Sequence, residues 1–586
     1  MSQPTTEGDA MHDTGAEVTS ARPGKGCDVV MKGGITSGVV YPAAIDVVKD
    51  EYRLCNVGGT SAGAIAAAAA AAAEYGRERP GGGFDALTAL SDELAQDGFI
   101  QTLFHPSRPA RPYLRLMLSL QRAKKTGDRV RAGLTWAGRM AWVPAVVTAL
   151  VVAVLLAYGV DRFGGGRERA TVLAWIALGV VVAAAVVVAA IAAIVARAVL
   201  LALRHLPRNF FGVATGMPER GESGPALTPW LHERIQECAG REGDAPLTFA
   251  DLETAGVKLQ MMTTDLAEAR PVRLPLDDPP DDLDGYEGYL YDRAELERLF
   301  PRPVVDHMDR VSQPLPGAPA ACAHLRVLPG PQMPVIVATR LSLSFPGLLS
   351  AVPLWTVRDG HPVKHWLSDG GIGSNFPIHL FDSWLPTRPT FGLNFVPAPR
   401  AADVARTDGS TVAATRPRAE VRDSMVAFVR QILDTMQNWR DTLQAELYGF
   451  NDRVYDIRLE EGEGGLNLGM GPEVVRRLVD KGRDAGEWAV REFDFDQHKM
   501  CRYTLFMHLL QQAVNGVEGQ PPNFRIAYSS EEFRQRLADA GLGPPARAQT
   551  DQLLDAMKDW GPAGSVDFTI GSLRPPRPVM RVTPDV

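Results

Sequence analysis

The feature that most constrains the fold of this chain is a five-residue turn between two runs of different character. Residues 59–63 read Gly-Thr-Ser-Ala-Gly, with an apolar run before them at 53–57 and an alanine-rich stretch after them at 64–73. This order predicts a strand, a sharp turn and a helix. Such a turn exposes the hydroxyl of Ser61, and the first free N–H groups of the helix point toward whatever that hydroxyl attacks. The pattern indicates a serine that transfers acyl groups.

Length and charge set the range of functions. The chain has 586 residues, enough for three or four domains of roughly 150 residues each. Its net charge of −8 argues against nucleic acid as a partner, because nucleic-acid binding domains are usually strongly basic. The cysteines are scattered and form no C-x-x-C pair, so we expect a reducing compartment and no zinc site or disulfide framework. They are Cys27, Cys55, Cys238, Cys322 and Cys501.

Two long apolar runs form the strongest shift in composition. Residues 143–160 and 170–196 carry no charged side chain, and a polar, glycine-rich turn at 161–169 separates them. Each run is long enough as a helix to cross a hydrocarbon core about 30 Å thick. The alternative is a pair of helices buried in a soluble core, but such helices normally keep a polar stripe. We therefore predict a transmembrane helical hairpin at residues 139–204.

Basic residues flank both outer ends of this hairpin. The positive-inside rule places both flanks, and with them the rest of the protein, on the cytoplasmic side of the inner membrane. The prediction is a multi-pass protein with two spans. The basic residues are Arg122, Lys124, Lys125, Arg129, Arg131 and Arg139 before the hairpin, and Arg197, Arg204 and Arg208 after it.

A serine nucleophile needs a base, and the sequence offers two kinds. A triad would use a histidine held by a carboxylate, whereas a dyad would use one carboxylate directly. Asp369 is the stronger candidate, because it begins an Asp-Gly-Gly turn whose glycines, Gly370 and Gly371, leave the carboxylate uncrowded. The candidate histidines beyond the serine lie in no obvious loop motif. They are His205, His307, His361, His365 and His379.

A second glycine loop precedes the serine turn. Residues 27–31 read as a buried strand, Gly33 and Gly34 follow it, and a helix is predicted at 39–49. Acyl transfer needs N–H donors about 3 Å from the developing oxyanion, and Gly33, Gly34 and Ala62 are the predicted donors. A phosphate-binding loop is the alternative, but the segment has neither G-x-G-x-x-G nor G-x-x-x-x-G-K-[ST].

These motifs, in this order, resemble the patatin-like phospholipase family, and specifically bacterial members with an inserted transmembrane hairpin. Residues 338–347 add a further match, since they are similar to the small-residue and proline segment that precedes the Asp-Gly-Gly motif of the family. The resemblance covers residues 26–397 apart from the hairpin. The glycine loop departs from the family pattern, because Ile35 stands at the place of a third glycine and Ser37 at the place of a basic residue.

The resemblance implies a three-layer α/β/α sandwich that hydrolyses fatty acyl esters, chiefly of phospholipids, with no metal or organic cofactor. Ser61 would be the nucleophile and Asp369 the base of a Ser-Asp dyad. The remaining implied site residues are Gly33, Gly34 and Ala62 in the oxyanion hole, and the motif glycines Gly59, Gly63, Gly370 and Gly371. Expected partners are an acyl lipid and the bilayer, with no nucleic acid, and nothing in the sequence indicates an oligomeric state.

Two other functions stay open at this stage. One is an esterase of α/β-hydrolase type with a Ser-His-Asp triad, for which His379 is the best-placed histidine. The other is a catalytically silent membrane scaffold built on the same fold. Labelling of Ser61 and the effects of substitutions at Asp369 and His379 distinguish these three functions.

The predicted domain organisation follows from these motifs and from composition. The first residues are polar, without the apolar stretch of a signal peptide, and are predicted to be a disordered leader. The segments are a leader at 1–25, the first half of the patatin-like domain at 26–138, the hairpin at 139–204, the second half at 205–398, a linker at 399–420, and a mostly helical C-terminal region at 421–586. Further strands are predicted at 257–264, 334–338 and 390–395, and further helices at 227–239, 249–255, 421–447, 473–493 and 503–514.

Overall fold

The computed structural model covers most of the chain. It describes residues 23–34, 36–94, 96, 98–122, 169–243, 245–280, 282–283, 286–398, 450–460, 462–465, 467–515, 524–539 and 544–557, with scattered positions between 127 and 154. Several predicted segments lie outside the described residues. These are the leader up to residue 22, most of the first predicted span at 143–160, the turn at 161–168, the linker at 399–420 and the helix at 421–447.

Twelve strands are present in the described part of the chain. They are β1 Lys25–Met31, β2 Tyr52–Thr60, β3 Gly212–Ala214, β4 Lys258–Asp265, β5 Arg270–Leu274, β6 Leu290–Asp292, β7 Leu325–Val327, β8 Gly347–Leu349, β9 Val352–Arg358, β10 His361–Asp369, β11 Thr390–Pro397 and β12 Val454–Leu459.

Ten of these strands form one large sheet. Its order is β12-β11-β1-β2-β4-β10-β9-β6-β7, with β5 added against β4, while β3 and β8 form a separate two-stranded sheet. The first five strands in this order run parallel, and the strands from β10 to β7 pair antiparallel. Parallel neighbours need a crossover connection, and here helices supply it. The sheet is therefore mixed, with parallel and antiparallel pairs. Together with its helices it forms an α/β fold, as the sequence predicted.

Fourteen helices of six or more residues are present in the same described ranges. They are α1 Val40–Glu51, α2 Ala62–Tyr75, α3 Phe84–Leu94, α4 Arg111–Arg122, α5 Arg169–Leu200, α6 Leu227–Cys238, α7 Phe249–Thr254, α8 Arg302–Val311, α9 Val335–Ser342, α10 Pro472–Glu487, α11 Phe495–Asn515, α12 Phe524–Ser529, α13 Glu531–Asp539 and α14 Pro544–Ala556.

The strand β1 is buried on both faces of the sheet. Successive side chains of a strand point to opposite faces, so Val29 and Met31 join the large core on one side. Val30 points the other way and packs with Phe376 and Ile378 in a smaller core. Burial on both faces explains why this strand reads as a continuous apolar run.

Part of the C-terminal region, including β12 and α10, belongs to the large core. Its strand β12, which lies in a stretch predicted to be mostly helical, extends the large sheet beside β11. Its helix α10 packs tightly against α1, because a Cβ atom at Gly482 would lie 2.0 Å from the carbonyl oxygen of Val40. Only glycine permits that approach, so α10 packs directly against α1 of the α/β domain.

One predicted strand is a helix. Residues 334–338 were predicted as a strand, but Pro334 precedes the first turn of α9, Val335–Ser342, and every residue of this helix is buried. A helix buried on all sides has no polar face, so its sequence shows no helical periodicity. The prediction was wrong for this reason.

The second predicted span lies in α5, Arg169–Leu200, which continues as a π-helical turn over Leu201–His205. Within the described residues, one helix is long and apolar enough to cross a membrane, at Ala184–Arg208. Its apolar side chains face outward, as at Leu203, which is 72% exposed. The structure thus contains one candidate span and does not support the two-span prediction as a whole.

Candidate active site

Ser61 lies at the sharp turn between β2 and α2. Its backbone has φ 56° and ψ −124°, a conformation that non-glycine residues rarely adopt outside strained functional turns. The side chain is almost fully buried. The N–H of Ser61 donates to Oγ of Ser342 at 3.0 Å, which fixes the turn from the side of α9.

The glycines on either side of this turn permit close packing. A Cβ atom at Gly59 would lie 2.2 Å from the carbonyl oxygen of Gly63, and one at Gly63 would lie 2.3 Å from the carbonyl oxygen of Met31. Both distances are far too short for a real contact. The turn therefore needs glycine at both positions to sit against the end of β1.

Asp369 is the last residue of β10 and is buried. The N–H of Gly371 donates to its Oδ1 at 2.8 Å. Burial raises the pKa of Asp369 to about 6, and the side chain of Ser61 and the N–H of Gly371 lower it by smaller amounts. No donor among the described residues reaches Oδ2 with regular hydrogen-bond geometry, so this oxygen is open to accept a proton.

The sheet register explains how these two residues meet. Thr60, just before the nucleophile, pairs with Met262 of β4, while Asp369 pairs with Thr263, the next residue of the same strand. Because β2 runs parallel to β4 and β10 runs antiparallel to it, the C-terminal ends of β2 and β10 converge on one point of β4. This convergence brings Ser61 and Asp369 together from distant parts of the sequence.

The glycine loop after β1 lies beside the nucleophile. A Cβ atom at Gly33 would be 3.1 Å from Cβ of Ser61. The N–H of Gly33, however, donates to the carbonyl oxygen of Asn375 at 2.8 Å, so it is not free to bind an oxyanion. This corrects the expected role of Gly33. No acceptor among the described residues takes the N–H of Gly34, and Ala62 has no intrahelical acceptor because it opens α2.

Comparison with known proteins gives the family. No family model matches the chain. The chain is 35% identical, over 663 aligned positions, to a protein of Rhizobium meliloti (strain 1021) named RpoH suppressor, and the match covers 96% of this chain and 99% of that protein. The chain belongs to the RpoH suppressor family.

Among solved structures, the type III effector protein ExoU is similar at 14% identity with a TM-score of 0.25. The match covers 82% of this chain and 54% of that chain, so this protein spans about half the length of that structure. Similarity at this level carries no argument about fold or activity. The name RpoH suppressor states no enzymatic activity either, so the chemistry of this family member has to be argued from its own residues.

The C-terminal end of α9 and the residues just after it contact both candidate site residues in this member of the RpoH suppressor family. Oγ of Ser342 accepts the N–H of Ser61, and the carbonyl oxygen of Ser344 accepts the N–H of Asp369 at 3.0 Å. Arg340 is fully buried and donates to Oγ of Ser344 at 2.6 Å. The sequence marked residues 338–347 as part of a motif, but it did not show that Ser342 and Ser344 hydrogen bond to the backbone of Ser61 and Asp369.

Three of the five candidate histidines are hydrogen bonded to groups other than Ser61. Both ring nitrogens of His365 are occupied, Nδ1 by Asp265 at 2.7 Å and Nε2 by Thr356 at 2.9 Å. His205 is hydrogen bonded to the hydroxyl of Ser107, and His307 to the carbonyl oxygen of Gln332. His361 is exposed at the start of β10, and His379 lies in the turn Ile378–Phe381. The group whose pKa responds to Ser61 is Asp369.

An apolar cavity of about 80 Å³ opens beside the nucleophile turn. Its lining includes Gly38, Ala62, Ile65, Trp230 and Leu349, and none of the described residues that line it is charged. A site with this lining favours a hydrocarbon chain over a polar ligand. In the ranges that the structure describes, no group of three or more His, Cys, Asp or Glu side chains is arranged to hold a metal ion.

Proposed function

We propose that the chain is a patatin-like serine acyl hydrolase that cleaves fatty acyl esters of lipids, with Ser61 as nucleophile and Asp369 as base. The observation that carries this proposal is the convergence of a strained, buried serine with a buried aspartate whose pKa is raised to about 6. A base with this pKa is about half ionised near pH 6 and can both take and return a proton near neutrality.

The proposed reaction has two steps. Asp369 takes the proton of the Ser61 hydroxyl as Oγ attacks the ester carbonyl, and the N–H groups of Gly34 and Ala62 stabilise the oxyanion. Collapse breaks the ester C–O bond, the alcohol leaves with the proton from Asp369, and an acyl-enzyme remains. A water molecule, deprotonated by Asp369, then attacks the acyl-enzyme and releases the fatty acid together with the free serine.

The lining of the apolar cavity supports a fatty acyl substrate. Ala62, whose N–H would hold the oxyanion, also lines the cavity, so the acyl chain of a bound ester would extend from the reacting carbon into it. The residues around the cavity offer no partner for a charged headgroup. This supports a phospholipid or another acyl lipid as substrate, with the headgroup on the open side of the nucleophile.

We propose further that residues 139–204 hold the enzyme on the cytoplasmic face of the inner membrane as a helical hairpin. The length, hydropathy and outward-facing side chains of α5 support the second half of this hairpin. Tethering to a bilayer raises the effective concentration of lipid at the site without any new contact.

Mass spectrometry of lipid products tests the proposed activity. Purified full-length protein and a Ser61→Ala variant are each mixed with a native lipid extract. Release of fatty acids by the wild type alone supports lipid acyl hydrolysis, and the same assay identifies the lipid class consumed. Equal product from both proteins contradicts the proposed nucleophile.

A fluorophosphonate probe separates the alternatives. Covalent labelling of Ser61 is expected in the folded wild type, and its absence in a folded sample favours the catalytically silent scaffold. A His379→Gln variant is expected to keep near-normal turnover. Loss of activity in His379→Gln with retention in Asp369→Asn would instead support a Ser-His-Asp triad.

A further inference from the structure

A second apolar cleft lies on the other side of the segment around Leu349, which also lines the apolar cavity beside Ala62. It has a volume of about 230 Å³, and its lining includes Phe211, Leu266, Leu349, Trp366 and Ser368. Leu349 lines both spaces, so one short segment separates them. Ser368 directly precedes the proposed base in β10, so the cleft lies against the strand that carries this base.

The cleft is continuous with the end of the apolar helix. The N–H of Phe211 donates to the carbonyl oxygen of Leu206 at 2.6 Å, just after the π-helical turn that extends α5. The next residues form β3, which pairs in parallel with β8, so that Gly212 lies opposite Gly347 and Ala214 opposite Leu349. The chain that leaves the apolar helix is therefore hydrogen bonded directly to the wall of the cleft.

The mouth of the cleft has the composition of a membrane interface. Phe211 is 45% exposed and Leu266 is 51% exposed, which is unusual for large apolar side chains that line a cleft. The ring of Phe211 packs edge-on against Trp366 with centroids 5.0 Å apart. Arg204 and Arg208 are exposed at the same end of the helix. Aromatic rings with neighbouring arginines are typical of the headgroup level of a bilayer, where arginine meets lipid phosphate.

We propose that this cleft is a binding site for an acyl chain of a lipid that is still part of the bilayer. Leu266 and Phe211 would enter the membrane surface beside the end of α5, and the chain would pass between them toward Ser368, in the strand that ends at Asp369. The proposal rests on the proposed lipid hydrolase function and adds the route by which the substrate reaches the site.

A single exposed position tests this route. Leu266→Lys places a charge at the mouth without touching Ser61 or Asp369, and Leu266→Phe keeps the mouth apolar. Leu385→Lys is the matched control, because Leu385 is 54% exposed and does not line the cleft. Each full-length variant is assayed on vesicles of phosphatidylethanolamine and phosphatidylglycerol and on soluble p-nitrophenyl butyrate, which needs no route from a membrane.

Leu266→Lys is expected to lower vesicle hydrolysis about tenfold, in line with the loss of apolar burial by one leucine, and to leave butyrate hydrolysis within about twofold. Leu385→Lys should match the wild type on both substrates, and Leu266→Phe should keep more vesicle hydrolysis than Leu266→Lys because the mouth stays apolar. Equal vesicle activity of Leu266→Lys and wild type, or an equal loss on vesicles and butyrate, overturns the route alone. A wild type that cleaves neither substrate overturns the proposed function, and the route with it.

Discussion

Two buried aspartates at the ends of neighbouring strands differ in how their oxygens are bonded. Asp265 ends β4, and its Oδ1 accepts the N–H of Ala267 at 2.8 Å. Its Oδ2 accepts the hydroxyl of Tyr289 at 2.7 Å and lies 2.7 Å from Nδ1 of His365. Asp369 ends β10, and its Oδ2 has no regular hydrogen-bond partner in the described part of the chain.

The pKa values differ in direction for this reason. Burial raises the pKa of both carboxyls and is the largest effect at each. At Asp265 the hydrogen bonds of Tyr289, His365 and the backbone outweigh burial, and the pKa falls below its ordinary value. At Asp369 they do not, and the pKa rises to about 6. Burial alone therefore does not set the direction in which a carboxyl pKa shifts, because the hydrogen bonds that the carboxylate accepts can outweigh it.

The pair formed by Asp265 and His365 resembles part of a catalytic triad but is not one. Nε2 of His365 lies 2.9 Å from the hydroxyl of Thr356, where a triad would have its nucleophile. The three residues Asp265, Thr356 and His365 lie on the neighbouring strands β4, β9 and β10. All polar groups of this network are satisfied, which is the expected state of buried polar groups that stabilise a fold. We therefore expect substitutions at the two aspartates to affect different properties.

The largest expected effect is on catalysis at Asp369. Asp369→Asn keeps an oxygen for the N–H of Gly371 but removes the base, so kcat/KM for a soluble ester should fall about 10³-fold. The measurement is steady-state hydrolysis of p-nitrophenyl butyrate, with circular dichroism to show that the variant is folded. Retention of more than a tenth of the wild-type kcat/KM would contradict the dyad.

The next effect is on folding at Asp265. Asp265→Ala leaves the hydroxyl of Tyr289 and Nδ1 of His365 buried without their partner, so the free energy of unfolding should fall by about 3–5 kcal/mol. Urea denaturation measures this change. Asp278→Ala, at an exposed loop position, is the control and should stay within about 0.5 kcal/mol of the wild type. A loss of activity in Asp265→Ala without a loss of stability would remove the distinction between the two aspartates.

The free energy of unfolding of Asp369→Asn, relative to the wild type, should depend on pH. Because the folded pKa of about 6 exceeds the ordinary value of 3.8, the unfolded chain loses this proton first as pH rises. The contribution of Asp369 to stability is therefore fully present below pH 4 and is lost as pH rises through 6. At pH 7, Asp369→Asn should be about 2–3 kcal/mol more stable than the wild type, and at pH 4 the two should be nearly equal. Denaturation at both pH values measures this, and an equal difference at both would exclude the raised pKa as its cause.

Activity should depend on pH in the direction set by the base. The reaction needs ionised Asp369, so kcat/KM should fall about tenfold per pH unit below about 6 and level off above it. A pH–rate profile on the soluble ester measures the inflection. A profile that is flat between pH 4.5 and 7, in protein shown to be folded across that range, would count against Asp369 as the base.

The smallest expected effect concerns Ser342. Ser342→Ala removes the acceptor of the Ser61 N–H, so kcat should fall about five- to tenfold while KM stays nearly constant. The fluorophosphonate labelling rate of Ser61 should fall in parallel. Ser350→Ala is the matched control, because Ser350 is equally buried but its hydroxyl bonds to the carbonyl oxygen of Asn209. A similar loss in both variants would mean that Ser342 acts on stability alone.

Much of the local structure could be predicted from the sequence. The turn at Ser61 follows from glycines between an apolar run and an alanine-rich run, and the apolar helix α5 follows from the absence of charge. The helix α9 could not be predicted, because burial on all sides removes its periodicity. The strand β12 was missed because it is only six residues long and is defined by parallel pairing with β11, which is distant in the sequence.

Local sequence patterns were enough to find the residues with the chemistry of a site: a serine in a glycine-flanked turn, an aspartate before two glycines, and a glycine loop after the first strand. Only the tertiary structure decided how they are used. The register of β4 brings Ser61 and Asp369 together, the carbonyl of Asn375 takes the N–H of Gly33, and Oδ2 of Asp369 has no donor of regular geometry among the residues that the structure describes. The physical reason is that hydrogen-bond satisfaction and burial depend on contacts between distant segments, which local sequence patterns do not encode.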